Sequence, residues 1–144
     1  MSISTLYNDL GAPLRNIRWS WGAVNPHTHS IFLSVWEDER KKLNDQIDTV
    51  RVTAYAQLDP RTDLGFRERI NQVDEIISGR RAFLIFCRAR SIMDRRRSLA
   101  IINSTQLFPV ISAFKIDHDV YLQYGTPTNI SEFFFSSKNM TFDQ

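Results

Sequence analysis

Ile76-Ile77-Ser78-Gly79-Arg80-Arg81-Ala82-Phe83-Leu84-Ile85-Phe86-Cys87 is the stretch that decides the fold. Ala82 to Cys87 is an unbroken apolar run, the mark of a strand buried on both faces and therefore central to its sheet. What precedes it is helical. Asp63 is an N-cap, and Phe66, Ile70, Val73 and Ile77 recur at helical spacing along one stripe. Arg67, Glu68, Asn71, Gln72 and Glu75 cover the other side, and Gly79 supplies a left-handed C-cap. A helix thus runs through one glycine turn straight into the middle of a sheet.

Outward from this unit, the remaining elements read as short strands. Leu6 to Leu14 reads as a short helix closed by Gly11 and Pro13. Ile17, Trp19 and Trp21 alternate with polar neighbours, which predicts a half-buried strand over Asn16 to Ala23. Asn25 to Ser30 turns it into an apolar strand over Ile31 to Trp36, a hairpin. The charged segment Glu37 to Asp48 reads as an exposed loop or short helix. Val50 to Gln57, Ser98 to Ile102 and Phe108 to Ile116 read as strands. Asp117-His118-Asp119 turns the last of these back into Val120 to Tyr124. Phe133-Phe134-Phe135 is either a closing strand or a tail pinned by its aromatics. One main helix among six to eight strands predicts an α+β domain with a small, curved or barrel-like, mostly antiparallel sheet.

The totals fit one domain over residues 1–144, with 42% apolar and 24% charged residues. A lone cysteine, Cys87, gives no sign of an oxidising compartment. Met1 to Thr5 shows no basic region followed by an apolar stretch, so no secretory signal is expected. No apolar run is long enough to span a bilayer, so a cytoplasmic protein without membrane contact is expected. The net charge of +2 is uninformative, but its distribution is not. Arg80 to Arg97 holds seven arginines and one acid, so it carries +6 and the rest of the chain −4. Arginine without lysine favours bidentate contacts to phosphate or carboxylate.

Motifs for catalysis are missing. The chain has no phosphate loop, dinucleotide fingerprint, nucleophile elbow, zinc-protease motif or nuclease signature. His27 and His29 sit in a turn without a third ligand nearby, His118 suits a hairpin tip, and Cys87 reads as a buried hydrophobe. No catalytic residue, metal ligand or cofactor is assigned, and a binding module is favoured over an enzyme.

Two constellations remain. Arg81 at one end of the central strand, Arg88 and Arg90 at the other, and Arg95, Arg96 and Arg97 beyond them make a phosphate-backbone clamp, or else a solvated face paired with Glu37, Asp38, Glu39 or Glu75. Trp19, Trp21 and Trp36 form an aromatic wall on which a base stacks, or else part of the core. Each stack contributes about 1–3 kcal/mol. Asn16 and Ser20 stand close enough in sequence to read a base edge.

The helix–Ser78-Gly79-Arg80–strand passage, with Leu14-Arg15-Asn16-Ile17-Arg18-Trp19-Ser20-Trp21-Gly22-Ala23 and Phe32-Leu33-Ser34-Val35-Trp36 before it, resembles the PUA-like superfamily. The likeness is to EVE-type domains, of the kind associated with bacterial restriction systems. It implies a small barrel that binds DNA and flips a modified base into an aromatic pocket, with Trp19, Trp21 and Trp36 as the pocket and Arg88 to Arg97 on the backbone. The Arg95-Arg96-Arg97 loop and the Phe133-Phe134-Phe135 tail depart from that pattern. Nucleic acid, DNA ahead of RNA, is the expected partner, with a nuclease partner supplying any cleavage. A small metal-dependent nuclease using Asp38, Asp45, Asp48, Asp63 and Glu75 is an alternative. So is a protein-interaction module, homodimeric through its phenylalanines, whose arginines take an acidic partner.

Overall fold

The computed structural model describes residues 2–54, 58–93 and 97–134. Arg95, Arg96 and Phe135, and the end of the strand expected over Val50 to Gln57, lie outside them. In chain order the elements are α1 (Ile3–Asp9), β1 (Gly22–Val24), β2 (Ile31–Trp36), a 3-10 turn (Glu37–Glu39), β3 (Arg40–Leu43) and β4 (Ile47–Arg51). There follow α2 (Leu64–Ile77), β5 (Ala82–Ala89), β6 (Leu99–Ile102), β7 (Gln106–Ile116), β8 (Asp119–Tyr124), β9 (Thr128–Asn129) and a second 3-10 turn (Ile130–Phe133). The architecture is α+β, with a mixed, mostly antiparallel sheet.

The sheet path is β1-β2-β5-β7-β8-β4-β3, with β6 also paired to β5 and β9 to β7. Its two ends do not meet, so the sheet is open and the closed form of the expected barrel is absent among the described residues. β2 and β5 pair in parallel from Ile31↔Ala82 to Trp36↔Cys87. Such a pair needs a long crossover, and the β3–β4 hairpin and α2 supply it. Along its other edge β5 pairs first with β7, then with β6.

The central strand separates two cores by side-chain alternation. Phe83, Ile85 and Cys87 meet Leu6 and Tyr7 of α1 and Leu10 just after it. Ala82, Leu84 and Phe86 meet Val73 and Ile76 of α2 and the inner residues of β4 and β8. Each large apolar side chain so buried contributes about 1.5–3 kcal/mol. Both faces being covered explains why the sequence shows a run here instead of alternation. The second 3-10 turn presses Phe133 onto Phe83, ring centroids 4.8 Å apart. The end of the described chain is therefore a pinned tail, not a strand closing the sheet.

Several caps follow from the sequence. Asp63 Oδ1 accepts the Phe66 N–H at 2.9 Å. At the other end Gly79, at φ 110°, donates to the Ile76 carbonyl, and Arg80 donates to that of Glu75. These two bonds make a Schellman motif. The apolar stripe of α2 is rotated from the expected one: Ile76 and Gln72 turn inward, while Ile77 is 55% exposed. α1 starts earlier than expected, capped by Ser2, whose Oγ accepts the Thr5 N–H.

Three expectations fail. The strand expected over Val50 to Gln57 runs instead over Ile47–Arg51, and residues 52–54 lie outside it. Asn16 to Ala23 is mostly turn, with only Gly22 and Ala23 in β1. Asn16 Oδ1 accepts the Arg18 N–H at 2.8 Å, and the Ser20 N–H donates to the Asn16 carbonyl. This local closure wins over alternation and leaves Ile17 75% exposed. Residues 37–48 are not a loop or helix. They form a 3-10 turn and most of a β-hairpin, whose tip residues Asn44 and Asp45 both have positive φ. Two consecutive positive φ values suit a primed hairpin turn, which Asn and Asp tolerate. Asp117 and His118 do the same between β7 and β8.

Among the described residues no helix is long and apolar enough to cross a membrane. Cys87 is 1% exposed, and burial pushes its thiol pKa up to about 12. At pH 8 a thiol reagent is expected to leave the folded chain unlabelled and to label it at once in denaturant. Rapid labelling of the native protein, followed by mass, would show an opening that the packing does not provide.

Candidate binding cleft

The turn at residues 17–21 does more than connect α1 to β1. It carries Trp19 across the start of α2, and the approach is so close that a side chain at Gly65 would stand 2.5 Å from the Trp19 carbonyl oxygen. Glycine is required there for contact, not for dihedral freedom. Gly65→Ala is expected to cost about 1–3 kcal/mol through overpacking. The usual helix gain of alanine, about 0.5–1 kcal/mol, only partly offsets this. A urea midpoint equal to or above that of the parent would mean the contact is slack.

This turn, the first turns of α2 and the ends of β2 and β4 enclose a cleft of about 370 Å³. Trp19, Trp21 and Trp36 all line it. Trp21 and Trp36 lie with ring centroids 5.2 Å apart, tilted by 54°. The Arg97 guanidinium sits over the Trp36 ring at 5.8 Å.

A chain of charges stiffens one wall. Arg97 grips Asp38 with both terminal nitrogens at 2.8 Å and reaches Glu39 Oε1 at 3.3 Å. Arg51 donates to the same Glu39 oxygen at 2.7 Å and to Asp119 at 3.3 Å. Asp119 also accepts the Thr53 hydroxyl at 2.8 Å. The relay ties the 3-10 turn after β2 to β4, β8 and the segment before β6. Because these groups are largely shielded from water, it is worth more than surface pairs of the same length.

Arg69 stands at the inner side of the cleft. Its Nη1 donates to the Val52 carbonyl at 3.3 Å, and Nη2 donates to the carbonyls of Trp21 and Ser34. Three separate segments are thus joined through one guanidinium. Burial pulls its pKa below the ordinary arginine value. Neighbouring Glu68 is pushed above the usual carboxylate range, again chiefly by burial, while the Ser20 hydroxyl donates to its Oε2 at 3.1 Å.

The candidate residues therefore divide. The three tryptophans converge. Asn16 and Ser20 do not line the cleft: the Asn16 side chain closes its own turn, and Ser20 is buried against Glu68. Of the described arginines in the proposed clamp, only Arg97 lines the cleft. Arg88 near the end of β5 and Arg90 just beyond it are both exposed, but Arg88 donates to Glu37 at 2.6 Å and Arg90 to the Leu99 carbonyl. Arg81 lies over Phe83 at 4.9 Å, and Arg80 pairs with Glu75. Pairing with Glu37, Asp38, Glu39 and Glu75 is thus what the structure shows for Arg80, Arg88 and Arg97. The acids of the nuclease alternative are dispersed, with Asp48 on Lys42 and Asp63 at the cap of α2. Among the described residues no group of three or more His, Cys, Asp or Glu is placed to hold a metal ion.

Arg18, Glu39, Arg51 and Arg69 also line the cleft, and sequence reasoning did not single them out for it. For Arg69 a signal existed: it lies three residues after Phe66 and four before Val73, on the same helix face. Compared with protein-family models, curated proteins and solved structures, the chain finds no match.

Proposed function

We propose that this chain is a nucleic-acid-binding module that takes an unstacked base into the tryptophan cleft. The observation that carries the reading is the convergence of Trp19, Trp21 and Trp36, from two segments of the chain, on one cleft bordered by arginines. Its volume falls at the lower end of the roughly 300–1,000 Å³ usual for ligand sites. Every base offers a π-face to such a wall, and arginine adds a cation–π contribution. In a duplex the base is extruded first, at a cost that falls when it is modified or mispaired. DNA carrying a modified base is the substrate favoured, in keeping with the resemblance to PUA-like, EVE-type domains of restriction systems. Any cleavage is then left to a nuclease partner.

Titration of labelled duplexes, modified and unmodified, over a salt series tests this. Affinity is expected to fall by about 10-fold or more between 50 and 200 mM salt, reflecting a few neutralised phosphates. Modified duplex is expected to bind tighter than unmodified, with quenching of tryptophan fluorescence. Binding at low salt no better than that of a neutral polymer ends the proposal.

A further inference from the structure

Within that cleft, charge and hydrogen bonding are satisfied unevenly. Arg51 and Arg97 are matched to Asp38, Glu39 and Asp119. Arg69 is not. Its three bonds go to main-chain carbonyls, and the Glu68 carboxylate, bonded to Ser20, acts on it through space without forming a salt bridge. Carbonyls satisfy its N–H groups without neutralising its charge, and a buried charge without a directly bonded counter-ion is costly. The Nε–H and one Nη1–H have no protein acceptor among the described residues, and Arg69 lines the cleft. Arg18 lines it too, exposed and without a side-chain partner among the described residues. The first turn of α2 borders the same space through Gly65 and Phe66, with the Asp63 carboxylate engaged as its cap.

We infer that the cleft binds a whole nucleotide, with the phosphate attached to the stacked ring held by Arg69 and Arg18 inside the cleft. This rests on the reading of the tryptophan wall given above and adds an anion to it. The ligand class becomes a planar ring carrying a phosphate within one nucleotide's reach, and a neutral nucleoside lacks half of what the site recognises. Charge-assisted contacts to a guanidinium are the stronger kind, and arginine presents its donors in a planar fork suited to phosphate.

The experiment is a tryptophan-fluorescence titration of the full chain with a nucleoside, its 5′- and 3′-monophosphates, and inorganic phosphate alone. One monophosphate is expected to bind at least about 30-fold tighter than the nucleoside, as a charge-assisted contact implies. Most of that preference is expected to disappear in Arg18→Ala, an exposed position whose variant keeps the fold. Arg69→Gln serves as a second variant, read only if its melting curve stays cooperative. Equal affinity for nucleoside and monophosphate overturns the inference and leaves base binding intact. Competition by inorganic phosphate as strong as by the monophosphate also overturns it, because the ring then contributes nothing. If neither mononucleotide nor nucleoside binds, the inference fails. The proposed function falls with it only if oligonucleotides leave the fluorescence unchanged as well.

Discussion

Replacing Arg69 with methionine is expected to destabilise the fold by about 2–4 kcal/mol, since a buried acceptor stripped of its donor costs about 1–3 kcal/mol. The guanidinium serves three carbonyls, but they do not lose equally. The Trp21 carbonyl also accepts the Ser34 N–H at 2.8 Å and stays paired. The Ser34 and Val52 carbonyls lose the donor that joins them to α2. Against this loss, methionine removes a charge whose burial is itself unfavourable, the same burial that pulls the Arg69 pKa down. That gain does not reach the cost of two stripped carbonyls, because the guanidinium already borders a cleft and is only partly cut off from water. Lysine keeps the charge but has one nitrogen to aim at carbonyls from three segments, so Arg69→Lys should recover less than half of the loss. Urea denaturation of both variants decides it. A methionine variant within about 0.5 kcal/mol of the parent, the range of a neutral surface change, would mean that Arg69 does not hold these segments together.

What could be read in advance followed from how locally each signal is generated. β5 was legible because burial on both faces writes one uninterrupted run, Ala82 to Cys87, which no other element of this length imitates. α2 was legible from its ends, where Asp63 and Gly79 use main-chain groups within four residues. Its face was harder. Phe66, Ile70, Val73, Ile77 and Phe66, Arg69, Val73, Ile76 are both helical stripes, and hydropathy favours the first because it assigns every arginine to water. The fold chose the second, since three carbonyls awaited the guanidinium. Residues 37–48 were misread for the converse reason. β3 is exposed at Arg40, Lys41 and Lys42, on both of its faces, and mostly charged, so only the positive-φ pair Asn44-Asp45 signals a hairpin.

The site was partly legible on the same principle. Trp19 and Trp21 do not share the strand face that their spacing implies, yet they do share a cleft. What brings them there is the turn set by Asn16 and the missing side chain at Gly65, a contact spanning 46 positions that no periodicity carries. The arginines of residues 80–97 were read as one clamp because they are adjacent in sequence. In space most of the described ones are answered by acids on neighbouring elements, and sequence adjacency says nothing about such partners. Arg69, between Glu68 and Ile70 on the helix and far in sequence from residues 80–97, is a cation that the fold turns into the same cleft as the tryptophans.

Trp19→Ala is expected to weaken nucleic-acid binding by about 5- to 150-fold, the loss of one stacking contact worth about 1–3 kcal/mol, while leaving stability nearly unchanged. The separation is possible because the three tryptophans are not held alike. Trp36 packs against the buried cluster under β5 and lies next to Trp21 and Arg97, so its removal opens a hole as well as a wall. Trp19 is half-buried on a turn, and its closest fixed contact, that with Gly65, is made by its main-chain carbonyl. Deleting its ring leaves that contact in place. Trp36→Ala should therefore lower both affinity and stability, the latter by about 3 kcal/mol, as for a core aromatic. Anisotropy of a labelled oligonucleotide, read beside urea melts of both variants, separates the two effects. Should Trp19→Ala bind like the parent while Trp36→Ala loses affinity only in step with its folded fraction, the tryptophans belong to the core and the cleft has no aromatic wall.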